Sequence, residues 1–334
     1  MTYLSWLISQ TPTQWWHDSA DAGELDVGIE RGATGATTNP VLSNAALKTS
    51  GALWAEEIDE VVRRRFPPEQ QAEALMRIPV CKAAAKLNGR PGFVCAQVNP
   101  ARAGDRDCMF AMAQRFHGWA PNIAVKLPAT AAGLEVLEEC VAHGITVTAT
   151  VSFTVPQVIA IAERHRAGSI RAREAGIEAG RCFAVIMIGR LDDYLREIAH
   201  DSYPAVQESD IQQAGLAVTK RAYTLYRERR YEAVLLVAAL RGKYHLTELA
   251  GAGLVMSIHP SQQGNFVSAD LPCQERIDCA VPADVLDRLR SMPEFVRSYE
   301  PDGMESREFM AFGLTQRTLS QFTETGWKPM ESYR

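Results

Sequence analysis

The chain has 334 residues, 46% of them apolar and 22% charged, a composition that suits a globular protein and excludes a disordered one. Lys plus Arg number 35 and Asp plus Glu 40, a net charge of −5, without the basic excess of a dedicated DNA or RNA binder. No apolar run reaches the roughly 18 residues of a membrane span, and MTYLSWLISQTPTQWWHDSAD does not read as a secretory signal.

Short apolar runs alternate with amphipathic stretches along the chain. The expected strands are Thr13–Asp18, Gly35–Asn39, Phe93–Val98, Asn122–Leu127, Ile145–Val151, Cys182–Gly189, Glu232–Leu240 and Gly253–His259. The gap from Asn39 to Phe93 has room for helices near Gly51–Arg65 and Pro68–Leu87. After the fourth strand Leu134, Leu137 and Val141 recur at helical spacing, and Gly144 stops the run. After the fifth, Thr154 can cap and Pro156 suits a first turn. Eight strands alternating with helices point to parallel β/α units. Length alone suggests two domains at roughly 150 residues each, but a (β/α)8 barrel takes about 250 residues in one. The expectation is therefore an α/β fold, a TIM barrel over 1–260. A helical extension over 261–334 (Ala283–Arg290, Ser306–Glu324) packs on it in one structural domain. The other reading of this tail is a mobile substrate lid.

The seven cysteines (Cys81, Cys95, Cys108, Cys140, Cys182, Cys273 and Cys279) include no C-x-x-C pair. Most lie in apolar stretches such as FVCAQV and RCFAVIMIG, so buried free thiols in a reducing cytoplasm are expected. The dinucleotide string GxGxxG is absent.

Strand side chains alternate between two faces, and barrel enzymes build their sites at the C-terminal strand ends. Five successive strands carry an inward polar group there. Trp16 and Asp18 share one face, as do Thr37 and Asn39, then Phe93, Cys95 and Gln97. Asn122, Ala124 and Lys126 follow, then Thr146, Thr148 and Thr150. Lys126, set among Ile123, Ala124, Val125, Leu127 and Pro128, has two readings. A desolvated amine has a lowered pKa and can attack a ketone to form a Schiff base; alternatively the side chain snorkels to the rim and pairs with a carboxylate. Asp18 is either a general acid–base or a helix cap. Thr37, Thr38 and Asn39 either contact sugar hydroxyls or serve the turn before Pro40. Arg190 and Arg241, after the sixth and seventh strands, can hold a phosphate in fork geometry; otherwise Arg190 pairs with Asp192 or Asp193 and Arg241 is exposed. His259 has no ligand cluster around it for a metal.

The strings GATTNPVL, NIAVKLPATAAGLEVLEECVAHGITVTATVSF and IGRLDDYL resemble the transaldolase family, over about Trp15 to Pro260. The resemblance implies a class I aldolase-type barrel with neither metal nor organic cofactor. It implies a cytoplasmic enzyme of carbohydrate metabolism in the pentose phosphate pathway. Such an enzyme moves a dihydroxyacetone unit from a ketose phosphate to an aldose phosphate. Charge and hydropathy give no expectation of a nucleic-acid or membrane partner, and the helical tail leaves monomer or homodimer open. By position, Lys126 resembles the Schiff-base lysine and Asp18 the aspartate that shuttles a proton. Thr37 and Asn39 are similar to donor-hydroxyl contacts, Thr150 to the threonine that holds the catalytic water, and Arg190 and Arg241 to the phosphate-binding arginines.

Departures accompany the likeness. Gln97 stands for the family glutamate; it can orient a water but cannot take its proton at pH 7. The fructose-6-phosphate aldolase group also has glutamine there, but its tyrosine after the sixth strand is Met187 in this chain. Thr148 replaces an asparagine at a substrate-binding position, and Val185 and Ala239 replace two serines near the phosphate. Each lost partner of a charged group costs roughly 1.5–3 kcal/mol, unless Lys243 or Tyr244 compensates. Three functions remain open: a transaldolase-like transferase, a stand-alone dihydroxyacetone aldolase or unusual-sugar transaldolase, and a non-catalytic sugar-phosphate-binding barrel.

Overall fold

In the computed structural model, which describes residues 2–268 and 271–334, seven strands form one parallel sheet. They are β1 (Gln14–His17), β2 (Val94–Gln97), β3 (Ile123–Pro128), β4 (Val147–Thr150), β5 (Cys182–Met187), β6 (Val234–Ala238) and β7 (Val255–Ile258), in the order β1-β7-β6-β5-β4-β3-β2. Most of these strands are buried along their whole length, as a parallel sheet covered on both faces requires. Helices connect successive strands, and the curled α/β sheet is consistent with a TIM-like barrel. Among the described residues no helix is long and apolar enough to cross a membrane.

The expected second strand, Gly35–Asn39, is not an extended strand. Only Ala36 pairs, bridging His17 of β1 on one side and Val94 of β2 on the other. Its amide donates to the Phe93 carbonyl at 2.8 Å and its own carbonyl accepts from Cys95 at 2.9 Å. Two constraints shorten this segment. At Gly35 a Cβ would lie 2.5 Å from the Phe93 carbonyl oxygen, so only glycine fits. Four residues later the Asn39 Oδ1 accepts from Leu42 N at 3.0 Å and starts the helix Pro40–Thr49. The remaining strands fall inside their expected bounds or end within a residue of them.

The enclosed side chains form layers. Trp16, Phe93 and Phe183 plug the N-terminal end, with ring centroids 4.6 and 5.7 Å apart and the Arg181 guanidinium 5.4 Å from both phenylalanine rings. Above them Cys95 donates to the Thr148 hydroxyl at 3.5 Å. Polar groups take over only at the C-terminal ends.

The tail crosses back over those ends. Helices Ala283–Leu289, Pro293–Tyr299 and Gly313–Gln321 lead into a π-helical turn, Phe322–Trp327; Ala269 and Asp270 lie outside the described residues. A Cβ on Gly326 would sit 2.5 Å from Val41 N, so this turn rests directly on the start of the helix Pro40–Thr49. The Asn44 Nδ2 donates to the Thr325 carbonyl, and the Gln71 Nε2 reaches the carbonyls of Met330, Glu331 and Tyr333. Of the cysteines, Cys95, Cys140 and Cys182 are buried; Cys81 and Cys108 are half-buried and Cys273 and Cys279 exposed, and all seven are free. The expectation of burial fails for Cys273 and Cys279 because the loop that carries them lies on the surface.

His17 is fully buried, accepting at Nδ1 from the Gln263 Nε2 at 2.9 Å. Burial pushes its imidazole down from 6.5 to about 4, against the pull of the neighbouring Asp18 carboxylate. Below pH 6.5 the unfolded chain takes up a proton that the folded chain refuses, so stability rises with pH between about 4 and 6.5 and falls on acidification. Urea unfolding across that window is expected to show this slope. His17→Asn is expected to flatten it by about one proton, whatever its effect on stability at neutral pH.

Candidate active site

Lys126 extends from β3 into a cavity of about 90 Å³ at the C-terminal strand ends. The cavity is also lined by Asp18, Thr37, Asn39, Thr150 and Arg190, with Ser257 from β7. The Lys126 side chain is 6% exposed, and its Nζ donates to the Thr38 carbonyl at 3.0 Å. Burial lowers its pKa from the ordinary 10.5; the neighbouring Cys95 and Asp18 oppose the shift, and Arg190 adds to it. Among the described residues no carboxylate pairs with it within 4 Å, so it does not snorkel to a rim partner.

Asp18 follows β1 directly. Its Oδ1 accepts from the Thr37 hydroxyl at 2.7 Å. Thr37 has one proton and gives it to Asp18, so the 2.5 Å contact between the Thr37 and Ser257 hydroxyls has Ser257 donating. Asp18 is thus held through a directed chain from Ser257 of β7 through Thr37. Asn39 uses its oxygen for the helix cap, leaving its amide nitrogen for the cavity that it lines. The turn reading holds for Asn39, which also lines the cavity.

The Gln97 Oε1 and Thr150 Oγ1 are buried without a protein partner. Gln97 lies opposite Lys126 in the β2–β3 register, and Thr150 opposite Pro128 in the β3–β4 register. Such atoms call for a water or a ligand. Gln97 and Thr148 do not line the cavity; Thr148 is fully buried and occupied by Cys95.

Left-handed backbone at Val151 (φ 56°) and Ala239 (φ 60°) ends two of the strands beside the site. Each costs about 1–3 kcal/mol unless held. The Val151 carbonyl accepts from Gln157 Nε2 at 3.1 Å, and that of Ala239 from Arg241 at 3.1 Å.

Arg190 reaches the cavity from the helix Ile188–Ser202 that follows β5. Burial and the nearby Arg241 both push its pKa down. It pairs with neither Asp192 nor Asp193. The tail holds it: Thr318 Oγ1 accepts from it at 3.5 Å and the Phe322 ring lies 5.4 Å away. Arg241 is exposed and binds Asp193 at 2.8 Å. Both arginines line a second cavity of about 310 Å³, with Asp18, Ala239, Ser257 and His259. It shares residues with the inner cavity and forms a cationic vestibule. Lys243 and Tyr244 line neither space. Among the described residues no group of three or more His, Cys, Asp or Glu side chains can hold a metal ion.

The family model for transaldolase/fructose-6-phosphate aldolase matches residues 15–323. The chain belongs to this family. It is 30% identical to a transaldolase of Neisseria gonorrhoeae over 186 residues, 52% of either chain. It is also 30% identical to a transaldolase of Mycolicibacterium paratuberculosis over 240 residues, 65% of this chain and 62% of that one. The same identity to transaldolase 1 of Streptomyces avermitilis covers 58% of this chain and 54% of that one. The matched part thus spans between half and two thirds of these relatives' length.

Four lining residues were not anticipated from the sequence: Leu236, Ala238, Ser257 and Phe322. Ser257 sits in VMSIHP at an inward strand position, and the period-2 pattern applied to that strand would have found it. Phe322 left no local signal, because only the path of the tail brings it to the cavity. A further feature lies beneath the vestibule. The His245 Nε2 donates to Asp192 at 2.8 Å, and its Nδ1 accepts from the Arg241 amide at 3.1 Å. Both side chains are fully buried. His245→Ala leaves the Asp192 carboxylate buried and short of a partner, so it is expected to cost about 3 kcal/mol or more. Asp193 and Arg241 are about two-fifths exposed, so Arg241→Ala is expected to cost under about 1 kcal/mol. Chemical denaturation of the two variants measures the contrast.

Proposed function

We propose that the protein is a Schiff-base enzyme that transfers a dihydroxyacetone unit between phosphorylated sugars, with Lys126 as its nucleophile. The fold is read as a (β/α)8 barrel completed through Ala36, over 1–260, with 261–334 packed on it. The observation that carries the function is the desolvated Lys126 amine beside Asp18 in one cavity.

Neutral Lys126 adds to the ketose C2 carbonyl, and loss of water gives an iminium. Asp18 takes the proton of the C4 hydroxyl. The C3–C4 bond breaks, its electrons pass to the iminium nitrogen, and an aldehyde leaves. The enamine then attacks the carbonyl carbon of an acceptor aldehyde, whose oxygen takes the proton back from Asp18. Water finally hydrolyses the iminium. Thr150 orients that water with its unpartnered oxygen, while Asn39 contacts a donor hydroxyl and the Ser257–Thr37 chain holds Asp18; Gln97, outside the cavity lining, takes no part in this step. Arg190 and Arg241 receive the phosphate in the vestibule. The apolar Val185, Met187 and Ala239 beside the cavity favour the related reading of an aldolase or an unusual-sugar transaldolase over a standard pocket.

Borohydride reduction in the presence of a ketose, read by intact mass, is expected to give one adduct, mapped to Lys126 and absent in Lys126→Ala. No adduct, or one that survives the substitution, refutes the mechanism. Asp18→Asn is expected to keep the adduct and lose about 10²–10⁴-fold in turnover. The rate of adduct formation is expected to rise with pH through a value below 10.5, the direction in which burial moves Lys126.

A further inference from the structure

The inner cavity has two unlike halves. Its polar half is the Lys126 side already described. Its other half is Val185, Met187, Leu236, Ala238 and Ala239 from the ends of β5 and β6, closed over by Phe322 of the tail. All but the two alanines are under 9% exposed. We propose that this half selects an acceptor aldehyde that carries hydrogen or alkyl groups where an aldose carries hydroxyls, and that Phe322 sets its length. The inference rests on the Schiff-base reading above.

The cavity's hydrogen-bonding groups are few, and several are already taken. The Thr37 hydroxyl is taken by Asp18 and Ser257, and the Asn39 oxygen by the helix cap. The groups left for a ligand are the Lys126 amine, the second Asp18 oxygen, the Asn39 amide nitrogen, the Thr150 hydroxyl, the Ser257 oxygen as an acceptor, and Arg190. A dihydroxyacetone unit uses Lys126 with its carbonyl and Asp18, Asn39, Thr150 and Ser257 with its two hydroxyls. Arg190 stands at the passage to the vestibule and serves the distal end. A hydroxyl on the acceptor carbon next to the aldehyde therefore turns towards side chains that offer it no partner, whereas an alkyl group fits them. Among the described residues Phe322 is the one lining residue that comes from the tail, and four residues on Gly326 packs closely on Val41. With dihydroxyacetone as donor, Asp18 takes a proton from the carbon next to the iminium, whose C–H electrons pass to the nitrogen to give the enamine; the enamine carbon then attacks the aldehyde carbon and the aldehyde oxygen takes that proton back from Asp18, with no further reactant.

The test uses the full chain, dihydroxyacetone as donor, and propanal against glyceraldehyde as three-carbon acceptors, with concentrations corrected for hydration. The kcat/KM for propanal is expected to exceed that for glyceraldehyde by about tenfold, the effect of one unpartnered hydroxyl. Val185→Ser is expected to shrink that ratio, and Phe322→Ala to raise the rate with hexanal relative to propanal. Phe322→Leu repeats the length test should the alanine variant not fold. A wild-type ratio at or below one, with the Lys126 adduct formed, overturns the acceptor inference and leaves the Schiff-base reading standing. An unchanged length profile in both Phe322 variants overturns the role of Phe322. Absence of any dihydroxyacetone adduct overturns the underlying reading, and the acceptor inference with it.

Discussion

The burial of one amine organises this protein. An ammonium group removed from water is costly unless it is paired with an opposite charge, and Lys126 has a single described hydrogen-bond partner, the Thr38 carbonyl. The fold meets the cost by favouring the neutral amine, which is also the nucleophilic form. The surrounding geometry serves this state. Asp18 is close enough to matter electrostatically but is turned towards Thr37, and Ser257 is turned towards Thr37 in the same sense. The strained backbone at Val151 and Ala239, held by Gln157 and Arg241, ends strands at the rim of the same cavity.

The tail belongs to this arrangement. Phe322 lines the cavity and lies against Arg190, while Gly326, Thr325 and the carbonyls after Met330 are fixed on the helices Pro40–Thr49 and Pro68–Lys86. The turn that caps the helix at Asn39 thus supports two things, a lining side chain on one face and the tail on the other. The arginines divide the site further. Arg190 is half-buried and held by tail residues without a carboxylate, whereas Arg241 is exposed and already paired with Asp193. Of the two, Arg190 has the charge less compensated.

Much of this was legible in the sequence because it depends on local periodicity. Alternation along NIAVKLP placed Lys126 inward, and the same rule placed Thr150 and Gln97 on the enclosed faces. Long-range contacts were not legible. The run Gly35–Asn39 looks extended, but close approach of Phe93 at one end and a helix cap at the other leave Ala36 as its single paired residue. Asp192 and Asp193 follow Arg190 at a spacing that suggested an ion pair. The helix instead turns Asp192 to His245 and Asp193 to Arg241. Phe322 reaches the cavity only through the fold of the tail. The family resemblance supplied roles for these residues that periodicity could not.

The account stands on a lowered pKa at Lys126. The direct measurement is an NMR titration of protein labelled at the lysine side chains, with the Lys126 resonance assigned by its loss in Lys126→Met. The account predicts a midpoint clearly below the ordinary 10.5 for this amine, with the exposed lysines titrating near their usual value. A Lys126 midpoint at or above 10.5 would contradict it.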